Sequence, residues 1–192
     1  MLTFIFLIVL GYLLGSIPFG YIIAKRKGID IQKKGSGNTG ATNISRNLGF
    51  KYALLVAILD ILKGALPAYL AVQYLSSEWQ IALVFLMPII GHSFPVWLKF
   101  KGGKGVSTMV PALIYLTGWW FVLIFILWVI MLKITRVMSL NNLLFFFFVP
   151  FVIYIYTNSI TYFILGIIFF LFILWTHRTN VDRLYKKEEL KL

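Results

Sequence analysis

Apolar residues run along this chain in unbroken stretches, and the polar residues between them gather into short basic breaks. Residues 1–24 carry no charged side chain, residues 52–75 are apolar apart from Asp60, Lys63 and Gln73, and further apolar runs cover 79–98, 106–132, 140–157 and 160–176. A helix needs about 20 apolar residues to cross the hydrocarbon core of a bilayer. The pattern therefore predicts an all-α, polytopic membrane helix bundle forming a single domain over residues 1–192. Taken as one crossing, 106–132 would place Lys133, Arg136 and the basic C-terminus opposite the other basic clusters, against the positive-inside rule. A split at Thr117-Gly118 removes the conflict. The chain then has seven transmembrane segments, its N-terminus outside and its C-terminus cytoplasmic, with Lys63 alone among the 18 Lys and Arg residues inside a span. The split leaves helices of about 11 and 15 residues, short of a full crossing, so they must tilt or lean on neighbours.

Local residues refine this picture. Lys25-Arg26-Lys27 follows the first apolar stretch instead of preceding it, the reverse of a cleaved signal peptide, so the first segment is a retained helix. Gly15, Ser16, Pro18 and Gly20 in its second half favour close packing and kinking. Pro88, Gly91 and Pro95 predict a bent or broken cytoplasmic half for the third segment. The FFFFVPF run at 145–151 is expected to face lipid. Asp60 and Lys63, three residues apart, share a helical face and are expected to pair toward the bundle interior.

Composition agrees: 60% of the 192 residues are hydrophobic and 18% aromatic. A net charge of +12 would suit nucleic acid, but basic clusters alternating with apolar spans are what membrane insertion selects, so the partners are membrane lipids and not nucleic acid. With no cysteine, a disulfide framework and a thiol nucleophile are both excluded. No carboxylate cluster suggests a metal, and no cofactor is called for.

Three basic, donor-rich stretches fall on the expected cytoplasmic side. Residues 25–51 form a long polar loop in which Gly35, Gly37 and Gly40 spell GxGxxG and residues 35–42 approach a P-loop, with Ala41 where lysine is required. Transmembrane flanks rule out both nucleotide folds. Ser36, Asn38, Thr39, Thr42, Asn43, Ser45 and Arg46 still offer hydroxyls, amides and a guanidinium for phosphate oxygens. Gly102, Gly103 and Gly105 surround Lys104, so that backbone N–H groups and one ammonium can turn toward an anion, with His92 just inside the membrane boundary. In the tail, a helix continuing through 177–184 would put His177, Asn180 and Arg183 on one face, while the HxxxxD spacing of His177 and Asp182 is coincidental. Each stretch also has a plain alternative as a solvated basic loop or a helix end resting on anionic lipid.

The motifs GSIPFG, GSGNTGATN.SR, DILKG, GHSFPVWLKFKGGKGVST and WTHRTNVDRL, in that order across nearly the whole chain, resemble those of the bacterial membrane glycerol-3-phosphate acyltransferases that use acyl phosphate, the PlsY family. Thr176 stands where that family usually has a basic residue. The resemblance implies transfer of a fatty acyl group from acyl phosphate to the 1-hydroxyl of glycerol 3-phosphate, giving lysophosphatidic acid and phosphate at the cytoplasmic side of the bacterial inner membrane. A soluble enzyme that makes acyl phosphate is an implied partner. Ser36, Arg46, Lys104, His177 and Asn180 are the implied catalytic set. The substrate-binding candidates are Gly37, Asn38, Thr42, Asn43, His92, Gly102, Gly103, Gly105, Ser139 and Arg183. A transporter of an organic phosphate would use similar cations, although such proteins usually carry internal repeats and midplane sites, and neither is visible here.

Overall fold

The computed structural model describes residues 1–190; Lys191, one of the basic residues assigned to the cytoplasmic side, lies outside them. Among the described residues all regular structure is helical. Four stretches, 2–26, 50–74, 78–98 and 138–157, are long and apolar enough to cross a membrane, and a fifth is 160–185 if its bent halves are one span. The chain resolves into two compact units, residues 1–112 and 113–192.

In the first unit, α1 (Leu2–Gly15) and α2 (Phe19–Arg26) are separated by a break at Ser16–Pro18, where Pro18 brings no N–H to continue a helix. The 25–51 stretch is more ordered than the expected loop. A 3-10 turn at Ile31–Lys33 leads into α3 (Ala41–Leu48), a short amphipathic helix that buries Asn43 and Ile44. Ile31 and Ile44 pack with Ala24, Ala53 and Val56, so apolar residues scattered through the polar sequence pin it down. Next come α4 (Phe50–Tyr74), α5 (Glu78–Ser93), a 3-10 turn at Val96–Leu98 and α6 (Val106–Thr117), which runs across the boundary between the units. The expected break in the third segment falls later than predicted: α5 contains Pro88 without interruption and ends at Ser93, just before Pro95.

Close backbone approach holds α1 to α5. A methyl group on Gly15 would run into the Pro88 carbonyl, and one on Gly91 into the Tyr12 carbonyl; in lipid, such small-residue contacts replace the hydrophobic drive between helices. Tyr12 Oη donates to the Phe94 carbonyl at 3.0 Å, satisfying an orphan acceptor at the end of α5. Lys63 and Asp60 pair at 2.9 Å with both side chains buried. Lys63 Nζ also donates to the Ile17 carbonyl at 2.9 Å, so the interior pair adds a hydrogen bond to the backbone at the break after α1.

The second unit contains the end of α6 with α7 (Trp120–Thr135), α8 (Met138–Thr157), α9 (Ile160–Thr176) and α10 (Arg178–Tyr185). The predicted break between 117 and 118 is present: Gly118 has φ +53° and separates α6 from α7, a conformation that costs glycine nothing. The FFFFVPF run is only partly as expected. Phe147, Phe148 and Phe151 are exposed, but Phe146 and Val149 are buried, as is Pro150, whose backbone lies against Gly166. A helix turns about 100° per residue, so an unbroken apolar run must send some members inward. The tail does not continue α9. The axis bends by 61° between α9 and α10, with His177 at the junction.

Candidate functional site

Asn43 organises the first donor set. Its Nδ2 donates to the carbonyls of Lys34 (3.0 Å) and Asn38 (2.9 Å), and its Oδ1 accepts from the N–H of Ser36 (3.1 Å) and from Asn47 Nδ2 (3.2 Å). Buried at 1% exposure, it staples residues 34–38 to α3. Asn43, expected as a substrate-binding residue, thus has its amide engaged by the surrounding backbone and by Asn47. Asn38 likewise closes a local turn, accepting from Gly40 N–H at 2.8 Å, and the Gly37 N–H is spent on the Lys34 carbonyl. The N–H groups of Ser36, Gly37 and Gly40 are thus bonded within the stretch. Ser36, Thr42 and Arg46 are half-buried, with Arg46 in the last turn of α3. Gln32 Nε2 donates to the Lys101 carbonyl at 3.0 Å, which ties this stretch to the glycine-rich loop.

That loop also departs from expectation. Gly102 N–H donates to the Ser93 carbonyl (3.1 Å) and Gly103 N–H to the His92 carbonyl (3.0 Å), so neither is directed at an anion. Glycine is required here for space: a Cβ on Gly102 would strike the His92 carbonyl and Pro95, and one on Gly103 the His92 ring. His92 is buried beneath the loop instead of reaching out from it. Lys104 is half-buried, and Gly105, at φ +85°, turns the chain into α6, whose first N–H groups have no intrahelical acceptor.

The second unit carries the other set. His177, on the turn between α9 and α10, is 2% exposed, and its Nδ1 lies 2.9 Å from the Ile173 carbonyl. A carbonyl only accepts, so Nδ1 carries the hydrogen, and in the neutral ring the lone pair is on Nε2. Asn180 and Arg183 follow on the inward face of α10, as the spacing predicted, and both meet a residue that sequence reasoning missed. Glu189 accepts from Asn180 Nδ2 (2.5 Å) and Ser139 Oγ (3.0 Å) on one oxygen and from Arg183 Nε (2.8 Å) on the other. Burial alone would raise this carboxyl, but the bonds from Arg183, Asn180 and Ser139 outweigh it and hold the group below the usual carboxylate range. The substrate candidates Ser139 and Arg183 thus serve the tail's own anchor. The only sequence signal for Glu189 was the acidic pair Glu188-Glu189 in a mainly basic tail. Asp182 is exposed. Between α7 and α8 lies an apolar cavity of about 330 Å³, lined by Leu127, Met131, Leu144 and Phe148 among others. Among the described residues no three His, Cys, Asp or Glu side chains gather as a metal site.

The family model for glycerol-3-phosphate acyltransferase matches residues 5–187. The chain belongs to the glycerol-3-phosphate acyltransferase family. Relatives of that name include one from Desulforamulus reducens, 38% identical over 100% of this chain and 96% of its own, and one from Shouchella clausii, 40% identical over 96% and 94%. The fold is similar to the crystal structure of PlsY (YgiH), an integral membrane glycerol 3-phosphate acyltransferase, in its glycerol 3-phosphate form. The TM-score is 0.93 at 36% identity, over 98% of this chain and 95% of that one. The lysophosphatidic acid form of PlsY gives 0.90. As a member of the glycerol-3-phosphate acyltransferase family, the protein is an integral membrane acyltransferase with several apolar spans.

Proposed function

We propose that the protein transfers a fatty acyl group from acyl phosphate to the 1-hydroxyl of glycerol 3-phosphate, giving lysophosphatidic acid and inorganic phosphate. The observation that carries this reading is the fold shared with PlsY in its glycerol 3-phosphate form over 98% of the chain. The hydroxyl oxygen bonds to the acyl carbon and the bond from that carbon to the phosphate oxygen breaks. The proton passes to His177 Nε2 or to the departing phosphate. An acyl phosphate is a mixed anhydride with a good leaving group, so the protein's task is chiefly to position two anions and stabilise charge. Arg46 and Lys104 supply the cations for phosphate oxygens, Ser36 a hydroxyl within the same unit, and His177 and Asn180 complete the catalytic set. The apolar cavity between α7 and α8 suits an alkyl chain.

The same reading places the protein in the bacterial cytoplasmic membrane as a single domain of seven segments, with the short helices α6 and α7 each crossing, the N-terminus outside and the active site inside. A soluble enzyme that makes acyl phosphate supplies the donor. Proteoliposomes given labelled glycerol 3-phosphate and palmitoyl phosphate should convert the label into organic-extractable lipid. Label that accumulates unchanged in the lumen would instead establish an organic-phosphate transporter.

A further inference from the structure

We infer that His92 is a positioning residue: its buried ring, with Asp60 behind it, is the floor on which the glycine-rich loop sets Lys104. This rests on the proposed function for the identity of what the loop binds. Nothing in the chemistry above uses Asp60, Lys63 or His92, yet all three are buried among membrane helices, where ionisable side chains are costly and generally have a task. Their contacts form a continuous chain. Lys63 Nζ is fixed to the Ile17 carbonyl at 2.9 Å and to Asp60 Oδ1 at 2.9 Å. The same Asp60 oxygen lies 3.5 Å from His92 Nδ1. The far edge of the ring then meets the loop, since a Cβ added to Gly103 would overlap Nε2 and come within 2.7 Å of Cε1 and 2.8 Å of Cδ2. The loop cannot slide off this floor, because its backbone is clipped to the same turn of α5 by the bonds from Gly102 to Ser93 and from Gly103 to His92.

Lys104 is the next residue, so its approach to a phosphate is set by a stack running from the break after α1, through α4 and α5, to the loop. A displacement of about 1 Å in such a positioning group is enough to cost on the order of a hundredfold in rate. The wall is also rigid: the ring sits in a close-packed interior and cannot swing aside to make room for a side chain at 103.

A double-variant cycle on the purified full-length protein separates this from simple destabilisation. Gly103→Ala should raise KM for glycerol 3-phosphate about tenfold or more, the signature of lost substrate binding, with KM for palmitoyl phosphate little changed. If the defect comes from the methyl group meeting the ring, removing the ring relieves it. His92→Ala/Gly103→Ala should then lie within about threefold of His92→Ala alone, a strong departure from additivity for two residues in contact. Two independent lesions would instead multiply, and that result overturns the inference. Should His92→Ala fail to insert, His92→Ser gives the same cycle with a smaller cavity and a hydroxyl left for Asp60. A wild-type protein that transfers no acyl group removes the proposed function and this inference with it; an active wild type with a multiplicative cycle removes the inference alone.

Discussion

His177 and Asp182, five residues apart, have different surroundings. The histidine is buried with Nδ1 bonded to the Ile173 carbonyl, whereas Asp182 is exposed on the outer side of α10 and takes no part in orienting it. His177→Ala and Asn180→Ala should therefore depress turnover by about a hundredfold or more in protein that still inserts, while Asp182→Asn stays within about threefold of wild type, as surface changes usually do. Steady-state rates on purified variants check this; a folded but inactive Asp182→Asn protein would restore a His-Asp dyad. The same scale shows what the sequence could reveal. Ser36, Arg46 and Lys104 stand out in the sequence as a hydroxyl and two cations in glycine-rich stretches. The duties of Asn43, Gly102 and Gly103 were hidden, because each depends on partners that only folding brings near. Asn43 takes its partners from a turn five to nine residues back, and the two glycines give their N–H groups to α5.

Among the elements, α10 depends most on a single distant residue. Glu189 gathers Asn180, Arg183 and Ser139, so it joins α10 to the first turn of α8. Because folding holds its carboxyl below the ordinary range, the ionised form is favoured in the native state. The resulting stability is present above the unfolded carboxylate value of about 4.3 and is lost as pH falls through the lower folded value. Glu189→Gln should lower the unfolding temperature at neutral pH, since hydrogen bonds to a charged group contribute about 2 kcal/mol. It should also flatten the acid limb of the stability curve, because the variant has no carboxylate there to protonate. Thermal unfolding in detergent across that range tests both, and a variant as stable as wild type at neutral pH with the same acid limb would count against the anchor. Helices were the legible elements, since a bilayer demands long apolar runs and the charge count located the break at Gly118. The bend at His177 was not, because the backbone bonds on either side of it, from His177 N–H to Ile173 and from Val181 N–H to His177, are the four-residue bonds of a continuous helix.

For the whole molecule, the seven-segment topology is a statement about which loops share a compartment. The chain has no cysteine, so single cysteines report cleanly. Ser76→Cys, Trp119→Cys and Ile160→Cys should react with an impermeant reagent applied to intact cells, and Lys33→Cys and Lys186→Cys should react only after lysis. All five positions are exposed. External labelling of Lys186→Cys would show that α6 and α7 do not make two crossings. Both donor sets fall on stretches that this topology assigns to the cytoplasmic side, where soluble glycerol 3-phosphate and an amphipathic acyl donor can both arrive. The central claim is the identity of that donor. Purified protein should be given labelled glycerol 3-phosphate with either palmitoyl phosphate or palmitoyl-CoA, while lysophosphatidic acid and inorganic phosphate are measured together. The account predicts product and phosphate in equal amounts from palmitoyl phosphate and neither from the thioester; lysophosphatidic acid formed from palmitoyl-CoA without phosphate release would contradict it.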